Sequence, residues 1–181
     1  PGNFDKIFTY QTRTALQLLS RYALEKNLLL AYLCRSKSVA INEEIGFAKE
    51  VLNNGCDYAI IKNQNNSLWS SIYSSKIITT IDSTSGYDCI SIKKKTMLFP
   101  LFFSNKFMFA TNPSRTIKDI WKWTITDDDY QKFENLMDEL LNLEQEKYED
   151  QIKETVNYFF DDTMKVPSHK SVYNFIKSNI T

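Results

Sequence analysis

The residues best suited to chemistry stand together in one short turn, Asp82, Ser83, Thr84, Ser85 and Gly86, which follows the apolar run KIITTID (76–82). Three consecutive hydroxyls and a glycine between a strand and a helix can seat an anion. The first helical turn leaves backbone N–H groups unpaired, and those groups favour a phosphate. Gly86 would let a ligand approach the backbone closely. The same residues can also do purely local work, since Ser83 or Thr84 is a standard helix N-cap. The carboxylate of Asp82 repels an anion unless it points away or meets a ligand hydroxyl.

Cations for such an anion come from other turns. In a parallel sheet the segments that follow the strands gather along one edge, where ligands bind. On that edge the sequence places Arg13 after a first strand, Arg35 and Lys37 after a second, Asn63 after a third and Asp82 to Gly86 after a fourth. Arg13, Arg35 and Lys37 can neutralise a diphosphate or a carboxylated sugar, arginine being suited to bidentate contact. Glu44, Asp82 and Asn63 can take sugar or ribose hydroxyls. Taken singly, each cation also reads as a solvated surface group, and Glu44 as the wet face of an amphipathic helix.

Positioning these groups requires alternating strands and helices. KIFTY (6–10) reads as a first strand, and TRTALQLLSRYALEKN (12–27) as a helix with Ala15, Leu18, Leu19, Tyr22 and Ala23 at helical spacing. LLLAYLC (28–34) is apolar on both faces, as a buried parallel strand should be. A helix over 40–55, stopped by Asn54 and Gly55, leads to a strand over 57–62. A short helix over 67–75, a strand over 76–82, a helix over 84–94 and a strand over 96–102, ended by Pro100, complete the pattern. The fold class is α/β: a Rossmann-like doubly wound parallel sheet of about five strands with an α-helical C-terminal extension. In that extension Asp127 or Asp128 can cap the first helix of 127–160, and a final helix covers 168–179.

Composition narrows the function. The 181 residues hold 22 basic and 22 acidic side chains, so no bulk field draws nucleic acid, and any anion site must be local. Cys34, Cys56 and Cys89 show no CxxC spacing and read as buried thiols in a reducing compartment. No apolar run approaches the roughly 20 residues of a membrane-spanning helix. His169, the single histidine, lies in the tail between Ser168 and Lys170 and reads as a surface residue, so neither a histidine-based triad nor a multi-histidine metal site is expected within the chain, and no metal site is expected. Trp69, Trp121 and Trp123 read as core or interface residues. No GxGxxG, GxxxxGK[ST] or GxSxG motif occurs.

From Leu28 to Leu141 the order of elements, with TTIDSTSGYDCISIKKKTMLF at its centre, resembles the C-terminal, donor-binding domain of glycosyltransferases of the two-Rossmann GT-B fold. It is similar in particular to bacterial enzymes of capsule, O-antigen and lipooligosaccharide synthesis, including those that take sialic acid or Kdo from CMP. IKDIWKWTITDDDYQKFENLMDELL also resembles the segment after the last strand in such proteins. In several of these families a Ser-Ser or Ser-Thr pair holds the nucleotide phosphate, a position that Ser83, Thr84 and Ser85 match here. CMP-using sialyltransferases usually carry a His-Pro pair in an earlier loop, where this chain has CRSKS (34–38).

The resemblance implies a glycosyltransferase fragment with no cofactor, binding a nucleotide-sugar donor: a CMP-sugar first, a UDP-sugar as the other choice. Its partners would be a glycan or glycolipid acceptor and a preceding N-terminal domain that supplies the catalytic base, so the isolated fragment would not turn donor over. The expected division is residues 1–5 as tag remnant or linker, 6–115 as the nucleotide-sugar-binding domain and 116–181 as the helical extension. The expected location is cytoplasmic, with any contact at the inner face of the membrane made through other parts of the protein. Two other readings share the fold: a non-catalytic interaction or regulatory domain, and half of a sugar-nucleotide epimerase.

Overall fold

No glycine or proline interrupts the chain between Asn3 and Glu25, and extending an existing helix gains a backbone bond per residue, whereas a separate strand must find a partner. Residues 6–10, expected as a strand, accordingly belong to one long helix, α1 (Asn3–Glu25), in the computed structural model, which describes residues 3–35, 41–62, 64, 67–81, 83–101 and 121–160. After α1 come β1 (Leu30–Leu33), α2 (Ile41–Leu52), β2 (Tyr58–Ile61), α3 (Ser67–Ser74), β3 (Ile78–Thr80), α4 (Thr84–Ser91) and β4 (Thr96–Leu98). Two helices, α5 (Tyr130–Asn142) and α6 (Gln145–Phe160), are the last elements among the described residues. The helix expected over 168–179, and His169 with it, lies outside the described residues.

Where a single sheet of about five strands was expected, the described strands form two parallel pairs. β1 pairs with β2 in the register Leu30 to Tyr58 through Leu33 to Ile61, and β3 pairs with β4 from Ile78 and Thr96 to Thr80 and Leu98. A parallel bridge joins Leu98 to Thr124, with Leu98 N–H donating to Trp123 O (3.0 Å) and Ile125 N–H to Leu98 O (2.9 Å). β4 therefore has neighbours on both sides. Helices and parallel strands alternate as the sequence pattern requires, and most of the described residues from Tyr130 to Phe160 are helical.

The main core forms around β4. Met97, Leu98, Phe99 and Leu101 meet Leu18, Leu19 and Tyr22 of α1, Trp121 and Trp123, Phe133, Met137 and Leu140 of α5, and Tyr148, Ile152 and Val156 of α6. Trp121 Nε1 donates to Thr96 O (3.0 Å) and Tyr148 Oη to Lys94 O (2.7 Å), whereas the buried Trp123 Nε1 finds no hydrogen-bond partner among the described residues. Gln11, buried on α1, donates its amide to Leu101 O. A smaller cluster of Leu16, Val51 and Leu52 lies beneath β1, so α1 faces two cores at once.

The helix ends obey recognisable chemistry. Asp129, rather than Asp127 or Asp128, caps α5: an N-cap must reach an N–H two or three residues on, and Asp129 accepts from Lys132 N at 3.2 Å. Asp127 pairs instead with the Lys132 ammonium. At the far end of α5 the Lys95 ammonium donates to Leu141 O (3.4 Å) and to Leu143 O, satisfying carbonyls that the helix leaves open. Gln145 Nε2 reaches Lys93 O at 2.9 Å, a second tie between the α5–α6 junction and the approach to β4.

α4 ends in a Schellman arrangement, with Lys93 N–H donating to Ile90 O (2.9 Å) and Lys94 N–H to Cys89 O (2.8 Å). α1 closes in the same way through Asn27 and Leu28, Leu28 N–H reaching Ala23 O at 2.8 Å. The three cysteines are free and buried, and burial pushes the Cys89 thiol up to about 11. Trp121 and Trp123 are core residues, but Trp69 is 39% exposed on α3.

Candidate functional site

At the end of β3 the backbone stays extended through Ser83 (φ −135°, ψ 136°) and then turns into α4. Ser83 Oγ accepts the Ser85 N–H at 3.3 Å and lies 2.7 Å from Ser85 Oγ, while Gly86 N–H donates to Ser83 O at 2.9 Å. The turn thus meets its own first N–H groups. An anion would reach Ser85 N–H by displacing the Ser83 hydroxyl, which is exposed and can rotate to donate instead.

Gly86 is buried, and a Cβ there would stand 2.5 Å from Thr80 Cγ2 and 3.5 Å from Leu98 Cδ2. The missing side chain lets α4 lie directly on the end of β3. Lys37, Asn63, Asp82 and the side chain of Thr84 lie outside the described residues.

A second group of polar side chains forms at the end of β1. Glu44, in the first turn of α2 where a negative charge suits the helix dipole, accepts from Tyr32 Oη (3.0 Å) and Arg35 N (2.7 Å) through one oxygen. Burial, then the Glu44 charge, pushes the Tyr32 phenol far above its ordinary value. Cys34, fully buried beside them, is raised by burial and by Glu44, with Lys62 pulling the other way. Glu44 and Arg35, both expected at a ligand, are brought together by a carboxylate that holds the turn after β1. Sequence reasoning missed Tyr32, whose only signal was a tyrosine one residue from a strand end ahead of an acid in the next helical turn.

Arg13 stands elsewhere. Because residues 6–10 are helix, Arg13 is an α1 residue, not one that comes after a strand. Its guanidinium pairs with Glu50 at 3.0 Å and lies 5.1 Å from the Phe47 ring centre, on the α1–α2 seam. Glu50 is six residues beyond Glu44, about 9 Å along the helix. Among the described residues Arg13 makes no contact with Ser83 or Ser85, and no three His, Cys, Asp or Glu side chains gather to hold a metal. No helix of the described residues is long and apolar enough to cross a membrane.

Alternating helices and parallel strand pairs, with a serine-capped turn beyond β3, define an α/β protein built from strand–turn–helix units. Over residues 3–179 the chain matches a family model described as "putative O-antigen biosynthesis protein", and it belongs to that family. No curated protein and no solved structure matches it significantly.

Proposed function

We propose that the chain is the donor-binding domain of a glycosyltransferase that works in O-antigen synthesis, with the two strand pairs as parts of one Rossmann-like sheet and a GT-B partner domain supplying the catalytic base. The observation that carries the reading is the β3–turn–α4 unit, whose Ser83 and Ser85 hydroxyls stand 2.7 Å apart at a helix start in a chain of an O-antigen biosynthesis family. Ser83, Thr84 and Ser85 hold the donor phosphate through hydroxyl and N–H groups. Arg35 and Lys37, after β1, offset the charge that grows on the leaving nucleotide. Arg13 joins them only by leaving Glu50. Asp82, Asn63 and Glu44 take sugar or ribose hydroxyls, the donor is a CMP-sugar or a UDP-sugar, and the acceptor is a glycan or glycolipid at the cytoplasmic face.

The test is a thermal-shift and calorimetric panel of CMP-, UDP-, GDP- and dTDP-sugars. One class should stabilise the chain, and Ser85→Ala should weaken that donor by about tenfold or more, the scale of a hydrogen bond to a charged group. Stabilisation by none of them, together with unchanged turnover in the complete enzyme carrying Ser85→Ala, rejects the reading. The closed bonding of the Ser83 turn favours one alternative, a non-catalytic α/β interaction domain, for which that negative result is the expected one.

A further inference from the structure

The end of the β3–β4 pair opposite the Ser83 turn carries a different chemistry. Extending the register of Ile78 with Thr96 back by two residues sets Lys76 beside Lys94, and Ile78 N–H donating to Lys95 O at 2.9 Å holds that alignment. Lys94 Nζ in turn donates to Tyr73 O at 3.2 Å, which brings the last turn of α3 against the turn that leaves α4. Tyr73 is 68% exposed and Trp69, one helical turn earlier, 39%, their rings 6.4 Å apart; Ile92, beside the lysines, is 39% exposed. Lys93 pairs with Glu149 at 3.6 Å, whereas Lys76 and Lys94 have no carboxylate partner among the described residues.

Lys93 adds a separate observation. Three described residues adopt a positive φ: Asn27 (52°), Gly55 (92°) and Lys93 (58°). Asparagine and glycine are the residues that tolerate this conformation, and they stand where α1 and α2 end. A lysine in the same role after α4 is strained, so the charge is kept where glycine would fold more easily.

We propose that this end of the molecule docks on an anionic lipid surface, with Trp69, Tyr73 and Ile92 entering the interfacial layer, Lys76 and Lys94 meeting lipid phosphates, and Lys93 joining them by leaving Glu149. Aromatic rings with polar tips and lysines with long apolar stems are the side chains that suit that layer. The chain as a whole carries no net charge, so the attraction comes from these lysines and orients the molecule. The Ser83 turn then faces away from the bilayer, open to water-soluble ligands. The docking does not depend on the donor reading.

The test mixes the full chain with vesicles of phosphatidylcholine alone or with added phosphatidylglycerol, and monitors co-sedimentation and tryptophan emission; Trp121 and Trp123 are buried, so Trp69 reports contact. Partition should require phosphatidylglycerol, fall as salt is raised and shift the emission to the blue. Lys93→Gly should raise the melting temperature by about 2 °C while weakening partition about fivefold. Lys94→Gln should weaken partition by a similar factor, and Tyr73→Ser should reduce it further. Absence of partition into phosphatidylglycerol vesicles, or partition that Lys93→Gly and Lys94→Gln leave unchanged, overturns the proposal. A dimer in solution that Tyr73→Ser converts to monomer assigns the surface to a second copy and overturns it as well.

Discussion

In the β1–β2 pair every strand position keeps some exposure, and Leu29 just before it is 69% exposed, whereas all of β4 is buried. Both pairs are parallel, both read as apolar, and both are approached by α1. The difference is in what covers them. β4 has β3 on one side, the Trp123–Ile125 segment on the other, and α5 and α6 in the core around it, while β1 and β2 rest on Leu16, Val51 and Leu52. Burial is decided by the elements that arrive from elsewhere in the chain, not by the strand's own residues.

The largest test of that contrast is a pair of truncations. Phe133→Ala, in the main core against Tyr22, Phe99 and Tyr130, should cost about 4 kcal/mol in urea unfolding, and Leu52→Ala, in the smaller cluster, about 2 kcal/mol. Equal losses would mean that the two clusters act as one core. Next in size is Gly86→Ala. The added methyl meets Thr80 and should cost about 1–3 kcal/mol. Thr80→Ser, which removes the obstructing methyl, should recover most of that loss in the double variant, a coupling that a double-mutant cycle reads directly.

The smallest effect concerns the tie between α1 and α5, and it depends on pH. Hydrogen bonds from Lys26 (2.8 Å) and then Tyr22 (2.6 Å) hold the Asp138 carboxyl below its ordinary value. A depressed folded pKa contributes stability that is present above the unfolded value of about 4 and is lost as pH falls through the folded value. Asp138→Asn should therefore lower stability at neutral pH by under about 1 kcal/mol, this pair being largely solvated. The gap from the natural chain should shrink in acid, and a gap that widens there would refute the assignment.

Much of the alternation was legible, because turn residues such as Asn54 and Gly55 and the helical spacing of Ala15, Leu18, Leu19 and Tyr22 are local signals. KIFTY was misread: its β-prone residues suit a strand, but the helix of residues 12–25 runs back through them without a break and absorbs them. LLLAYLC and TMLFPLF carry the same apolar signature and differ in burial, since periodicity within a strand says nothing of what will cover it.

For the candidate site, the Ser83 cap could be read from local chemistry, and it is there. Arg13 could not be placed, because its position depended on a strand that does not form. The pairing of Glu44 with Tyr32 and the Arg35 backbone joins residues 9 and 12 positions apart, a meeting that only the turn from β1 into α2 creates.

The ties between the α4–β4 corner and the α5–α6 junction bear on how the protein comes into being. Lys93, Lys94 and Lys95 are bound to Gln145, Tyr148, Leu141 and Leu143, partners about 50 residues later in the chain. Closing such loops costs entropy that only the finished contacts repay. During synthesis from the N-terminus, β4 emerges well before the helices that bury it, so its apolar face must wait in water, exposed to mispairing, until α6 has left the ribosome.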